Sequence, residues 1–180
     1  GVSSNNELSS QYSVRGGNYD ENLIYVNGIE IYKPFLVRNG EQEGLSFVNP
    51  NMISSIEFSS GGFQAKFGDK LSSVLNIEYK KPQENNVLLS ISALGISINA
   101  EGYIKKTTSS TTHELSYLIG GRIRSNNFLF NSLDTEGDYN PLFKDFQTYL
   151  TYQNANYSDW EFSLLSYYSQ NRYEMIPRNR

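Results

Sequence analysis

The feature that most constrains this chain is a two-residue alternation of apolar and polar side chains in its second half. In residues 113–124 the odd positions after His113 are apolar apart from one glycine, whereas the even positions are mostly small or charged. Residues 160–170 repeat the pattern, with Trp160, Phe162 and Leu164 on one face. Because successive side chains of a strand point to opposite faces, the pattern predicts strands with one apolar and one wet face.

The alternation predicts five strands after Pro82. It occupies residues 87–103, 113–124, 145–154 and 160–170. Its phase flips at Leu94-Gly95, so we interpret the first of these segments as two strands joined by a very tight turn. The result is an antiparallel arrangement whose strands all belong to the second half of the chain.

The first half of the chain has a different sequence pattern, in which short aliphatic runs alternate with glycine-containing turns. The runs are residues 23–26, 29–31, 56–58 and 74–79. Asn27-Gly28 separates the first two runs, and both residues tolerate positive φ, which predicts a β-hairpin. Residues 1–11 are polar and aperiodic, and we expect them to be weakly ordered by themselves.

Composition excludes several classes of protein. The chain has no cysteine, which excludes a disulfide framework and a Cys-ligated zinc or iron–sulfur centre. A net charge of -4 with scattered basic residues lacks the electrostatic footprint of a nucleic-acid binder. His113 is the only histidine, and we find no nucleophile–base pair and no phosphate-cradling loop. We therefore expect neither an enzyme nor a cofactor.

Two architectures are compatible with the alternating strands. A soluble antiparallel sandwich shows the same pattern. Two features favour membrane strands instead. The strands reach about ten residues, the length that a tilted membrane strand requires, and their ends carry Tyr, Trp and Phe, as the aromatic girdles of membrane barrels do.

Four sequence motifs of the first half occur in the order found in one known domain. They are residues 11–17 (QYSVRGG), 22–29 (NLIYVNGI), 50–58 (PNMISSIEF), and 61–68 with 73–77 (GGFQAKFG and SVLNI). In this order they resemble the plug domain of TonB-dependent outer-membrane transporters, in the variant found in Bacteroidota. One departure is that Ser60-Gly61-Gly62 stands where the family usually has Arg-Gly-Pro.

The resemblance implies a mainly β protein with two parts. Residues 1–82 would form the larger, C-terminal part of an α+β plug domain. Residues 83–180 would form about the first five strands of an antiparallel transmembrane barrel, which has 22 strands in the family. Because five strands cannot close around a plug and would leave bare edges in hydrocarbon, we expect a fragment of a larger transporter.

The same resemblance assigns sides to the connectors of the predicted barrel. Barrels of this type have short periplasmic turns and long extracellular loops. The short connectors 107–112 and 156–159 would therefore be periplasmic. The long connector 125–144, the loop that begins at Asn171 and the tight turn at Leu94-Gly95 would face outward.

The resemblance also implies candidate site residues. Those expected to contact ligand at the plug apices are Asn18, Tyr19, Asp20, Tyr32, Phe35 and Arg38. Arg15 would pair with barrel carboxylates and lock the plug in place, with Glu57 as a partner within the plug. The alternatives are an ordinary solvated arginine beside a turn and a charge on a wet strand face.

One acidic segment has the spacing of a calcium loop. Asp134, Glu136 and Asp138 stand at its first, third and fifth positions. Tyr139 occupies the position at which such a loop needs glycine. We therefore favour a solvated acidic outer loop and treat calcium as a weak candidate.

The implied function is TonB-dependent active transport of a nutrient across the bacterial outer membrane, with substrate bound at the plug apices and the plug displaced for passage. The implied partners are a TonB-type energy-transducing protein, outer-membrane lipid and the nutrient, with a surface lipoprotein or a larger outer-membrane complex as further candidates. One alternative is a non-transporting outer-membrane scaffold or adhesin, which Ser60 in place of the family's arginine supports. Another is a soluble all-β binding module. The substrate is not indicated.

Overall fold

The structure, a computed structural model, describes residues 2–4, 12–14, 22–32, 38–39, 42–43, 47–59, 73–93, 95–125, 137–139, 142–154, 156, 160–172 and 175–177. The chain divides into two compact units, Gly1–Lys80 and Lys81–Arg180. The described part is mainly β, as predicted. It contains a 3₁₀ helix of three residues, Pro50–Met52. Within the described residues, no helix is long and apolar enough to cross a membrane.

The first unit is built around a four-stranded sheet. Its described strands are β1 (Val2–Ser4), β2 (Tyr12–Val14), β3 (Asn22–Val26), β4 (Ile29–Glu30), β5 (Arg38–Asn39), β6 (Gln42–Glu43), β7 (Ile53–Ser59) and β8 (Ser73–Tyr79). The sheet has the order β4-β3-β8-β7, with β3 and β8 parallel and the other neighbours antiparallel. Val74 and Ile77 of β8 point to opposite faces and are both buried, so the core covers both faces of the central strands.

The hairpin predicted at Asn27-Gly28 is confirmed. β3 and β4 pair antiparallel, and φ is 50° at Asn27 and 77° at Gly28, as a type I′ turn requires. The turn is also attached to β8. The backbone N of Asn27 donates to the carbonyl oxygen of Ile77 at 2.9 Å, and Asn27 Oδ1 accepts from the backbone N of Tyr79 at 2.8 Å. Asn27 therefore shapes the turn and ties it to the neighbouring strand.

The second unit is built around a five-stranded antiparallel sheet. Its described strands are β9 (Asn86–Ser92), β10 (Gly95–Thr108), β11 (Thr111–Ser125), β12 (Gly137–Tyr139), β13 (Leu142–Asn154), β14 (Glu161–Arg172) and β15 (Met175–Pro177). The sheet order is β14-β13-β11-β10-β9, and β12 pairs separately with β15. The five strands predicted after Pro82 are thus confirmed as one sheet. These strands do not close into a barrel, since β9 and β14 form the two edges.

Several strand boundaries differ from the prediction. β14 continues to Arg172, past the loop predicted to begin at Asn171, because it stays paired with β13 there. The connector predicted at residues 107–112 shrinks to Ser109-Ser110, because β10 and β11 stay paired as far as Thr108 and Thr111. The hydroxyl-rich composition suggested a turn, but β-branched threonines favour strands. The long connector predicted to end at Lys144 ends earlier, because β13 already pairs with β11 at Leu142.

The sheet of the second unit has one apolar face and one polar face. The register places on the apolar face Val87, Leu89, Ile91, Ile96, Ile98, Ile104, Leu115, Tyr117, Ile119, Ile123, Phe146, Leu150, Tyr152, Phe162, Leu164 and Tyr168. The buried members of the polar face include Asn99, Ser116, Arg122, Asp145, Gln147 and Thr151. On the apolar face, by contrast, Leu164 is 59% exposed. Leu118, Phe143 and Tyr149 of the polar face are buried beside these polar residues. The sheet therefore exposes a largely apolar face and buries polar side chains on the other, unlike a soluble antiparallel sheet with one solvated face.

The first residue of β10, Gly95, is expected to tolerate no side chain. Its φ is +151°, and a Cβ there would overlap the carbonyl oxygen of Ile123. Gly95→Ala should lower the free energy of unfolding by about 1–3 kcal/mol, measured by denaturant titration. Gly121→Ala is the control, because its Cβ would meet no atom closer than 3.8 Å. Equal stability of the two variants would contradict the prediction.

Candidate functional site

Most of the predicted site residues lie outside the described residues. These are Arg15, Asn18, Tyr19, Asp20, Phe35, Asp134 and Glu136. Arg38 and Asp138 are described only in their backbones, in β5 and β12. Tyr32 is described beyond the end of β4, where its side chain is 83% exposed. The ligand and calcium assignments therefore stay predictions.

Glu57, the predicted partner of Arg15 within the plug, lies on the edge strand β7. Its side chain is exposed, and its Oε2 accepts a hydrogen bond of 3.5 Å from Asn76 Nδ2 on β8. On the same face, Ser55 Oγ donates to Glu78 Oε2 at 3.2 Å. Glu57 is thus accessible to a cation, and its pairing with Arg15 stays a prediction.

The polar face of the second unit holds a buried ion pair. Arg122 of β11 lies directly opposite Asp145 of β13, and their side chains are 6% and 1% exposed. Arg122 Nε donates to Asp145 Oδ1 at 2.9 Å and Oδ2 at 3.1 Å, and Nη2 donates to Oδ2 as well. The buried Gln147 adds a hydrogen bond of 3.3 Å from Nε2 to Oδ2. Such forked, charge-assisted contacts are among the strongest hydrogen bonds in proteins.

Sequence reasoning missed this pair. The alternation placed Arg122 and Asp145 on the polar faces of their strands, but it could not show that the two residues lie opposite each other. That relation depends on the register of β11 and β13, which are separated by a connector too long to fix it. The available signal was only a charge of each sign on the two wet faces.

Two more carboxylates of the polar face have basic partners within the same unit. Lys105 Nζ lies 2.8 Å from Glu114 Oε1, and Lys81 Nζ lies 2.7 Å from Glu161 Oε2. A plug arginine that paired with one of these carboxylates or with Asp145 would share it with a cation already in place. Within the described ranges, no cluster of three or more His, Cys, Asp or Glu side chains could hold a metal ion.

The apolar face carries aromatic side chains towards both of its ends. At one end the ring of His113 stacks on that of Tyr152 with centroids 6.0 Å apart, and His113 Nδ1 is hydrogen-bonded to the Tyr152 hydroxyl at 2.7 Å. Trp160 and Phe162 lie at the same end of the sheet, with ring centroids 6.4 Å apart. Tyr168 stands towards the opposite end of β14. Aromatic side chains towards both ends of an apolar face are typical of the lipid-facing side of a membrane barrel.

Comparison with known families identifies the first unit. Residues 1–73 match the TonB-dependent Receptor Plug Domain. Residues 1–73 are therefore a TonB-dependent receptor plug domain, which confirms the resemblance seen in the motifs. Receptors of this family are located in the outer membrane, interact with TonB, bind ligands and act as transporters. Comparison with the curated proteins and with the solved structures gave no significant match.

Proposed function

We propose that the second unit is part of the wall of a transmembrane β-barrel and that the chain takes part in TonB-dependent import of a nutrient. The observation that carries this proposal is the sidedness of the five-stranded sheet. Its exposed face is aliphatic and aromatic, whereas its buried face contains the ion pair of Arg122 and Asp145. In a barrel, the apolar face would contact lipid and the polar face would line the interior.

Strand length supports the same proposal. β10, β11, β13 and β14 have 14, 15, 13 and 12 residues. About 9–11 tilted residues suffice to cross a bilayer. The edges at β9 and β14 would have to pair with further strands, because hydrocarbon does not tolerate unpaired backbone groups. A contiguous apolar face of this size would be an aggregation hazard in water.

Import would require no covalent chemistry. A nutrient would bind at the apices of the plug, one of which includes the exposed Tyr32, where aromatic contacts and hydrogen bonds can act together. Force transmitted by the TonB-type partner would then displace the plug. Arg15 would hold the plug until that force arrives, and Glu57 and the barrel carboxylates are its candidate partners.

The test of this proposal separates binding from transport. Purified whole gene product is offered a panel of iron chelates, cobalamin, glycans and peptides, and any compound it retains is then given to cells with and without the TonB-type transducer. We expect uptake to be lost in the deletion strain while surface binding persists. Unchanged uptake would contradict coupled transport, and binding without uptake in either strain would favour the scaffold or adhesin.

A further inference from the structure

The apolar face of the second unit contains a depression of about 360 Å³. Its apolar lining residues are Ile96, Ile98, Gly121, Ile123, Phe146 and Tyr168. Gly121 leaves the space open because it has no side chain: a Cβ there would only just reach Ile98 Cγ2, at 3.8 Å. The hollow is therefore wide enough for an acyl chain to lie against the sheet.

The rim of the depression carries a positive charge. Lys144 and Gln170 line it and lie directly opposite each other on β13 and β14. Both side chains are exposed, and both belong to the apolar face. A lysine can lay its apolar stem along such a surface while its ammonium group stays at the polar edge. An apolar hollow beside a cation is complementary to a molecule with an acyl chain and an anionic headgroup.

We propose that this depression binds an anionic, phosphate-bearing lipid, with an acyl chain over Gly121 and the phosphate at Lys144 Nζ. The proposal rests on the membrane-barrel assignment proposed above. A bilayer would cover the whole apolar face with mobile acyl chains, but only the rim next to Lys144 and Gln170 adds a charge that selects one class of headgroup. Cations near a membrane surface attract anionic lipids. In the proposed barrel, such headgroups would lie at the level of Lys144 and Gln170.

Native mass spectrometry of the whole gene product in micelles tests the proposal, with phosphatidylglycerol and phosphatidylcholine as the probes. We expect the unmodified protein to retain phosphatidylglycerol preferentially. Lys144→Gln should weaken that retention about fivefold, and Gly121→Val should weaken it by filling the hollow. The control is Lys106→Gln, which removes an exposed lysine from the same face, opposite His113, and should leave retention unchanged.

Three outcomes would overturn the lipid site. They are equal retention of the two lipids, equal effects of Lys144→Gln and Lys106→Gln, and full displacement of the lipid by inorganic phosphate, which would mean that the anion alone is bound. A separate measurement distinguishes failure of the lipid site from failure of the membrane-barrel assignment. If Leu164→Arg destabilises the protein in a bilayer but no lipid is retained, the lipid site alone is wrong. If Leu164→Arg has no effect, the barrel assignment fails.

Discussion

Arg122→Met is expected to lower the free energy of unfolding by about 3–5 kcal/mol. The variant leaves the carboxylate of Asp145, whose side chain is 1% exposed, without the guanidinium that neutralises it. The amide of Gln147, 3.3 Å from Asp145 Oδ2, is neutral and cannot replace the lost charge. Denaturant titration of the whole gene product in micelles measures the change.

Two further variants separate the buried charge from other effects. Lys105→Met removes the cation of an ion pair in which the lysine side chain is 54% exposed, and it should change stability little because solvent screens such pairs. Arg122→Met combined with Asp145→Leu should recover most of the loss, since no uncompensated charge remains. A double variant as unstable as the single one would show that the loss comes from packing and not from the isolated carboxylate.

The features that could be predicted from the sequence are local ones. Asn27-Gly28 predicts its hairpin because two adjacent residues that accept positive φ suffice to set the turn, and the structure has φ of 50° and 77° there. The alternation of residues 113–124 predicts which side chains share a face, because the period of a strand is fixed at two. The structure accordingly puts Leu115, Tyr117 and Ile119 on the face opposite Ser116 and Leu118.

The features that could not be predicted depend on pairing between distant segments. β3 and β8 lie parallel, with Val26 opposite Ile77, although about fifty residues separate them. The ion pair of Arg122 and Asp145 likewise exists only in one register of β11 and β13. Alternation cannot select that register, because a shift of two residues keeps every side chain on its face.

The candidate ligand site likewise has one aspect that the sequence predicts and one that it does not. Its predicted location at the plug apices is implied by the family resemblance of residues 11–77, and residues 1–73 do match the plug domain; the location itself stays a prediction. Individual contacts such as Tyr32 depend on where each side chain lies relative to a ligand. No local pattern specifies that relation, because binding loops vary while the scaffold that carries them stays the same.

Leu164→Arg is expected to lower the free energy of unfolding in a lipid bilayer by about 2–4 kcal/mol. Leu164 belongs to the apolar face and is 59% exposed. Along β14 it lies between Phe162 and Tyr168, which in the proposed barrel would place it near the middle of the hydrocarbon. An arginine there would carry its charge into lipid. Equilibrium unfolding by guanidinium chloride from large unilamellar vesicles measures the cost.

Gln170→Arg is the matched control for Leu164→Arg. Gln170 lies on the same strand and the same face, but near the end of the strand, opposite Lys144. The cost of an arginine falls to about 0–1 kcal/mol near the membrane interface, so a barrel should respond strongly at Leu164 and weakly at Gln170. A water-soluble sheet should respond weakly at both, since surface substitutions usually stay within about 0.5 kcal/mol. A dependence on depth would therefore be evidence that lipid covers this face, whereas equal, small effects would refute the barrel assignment.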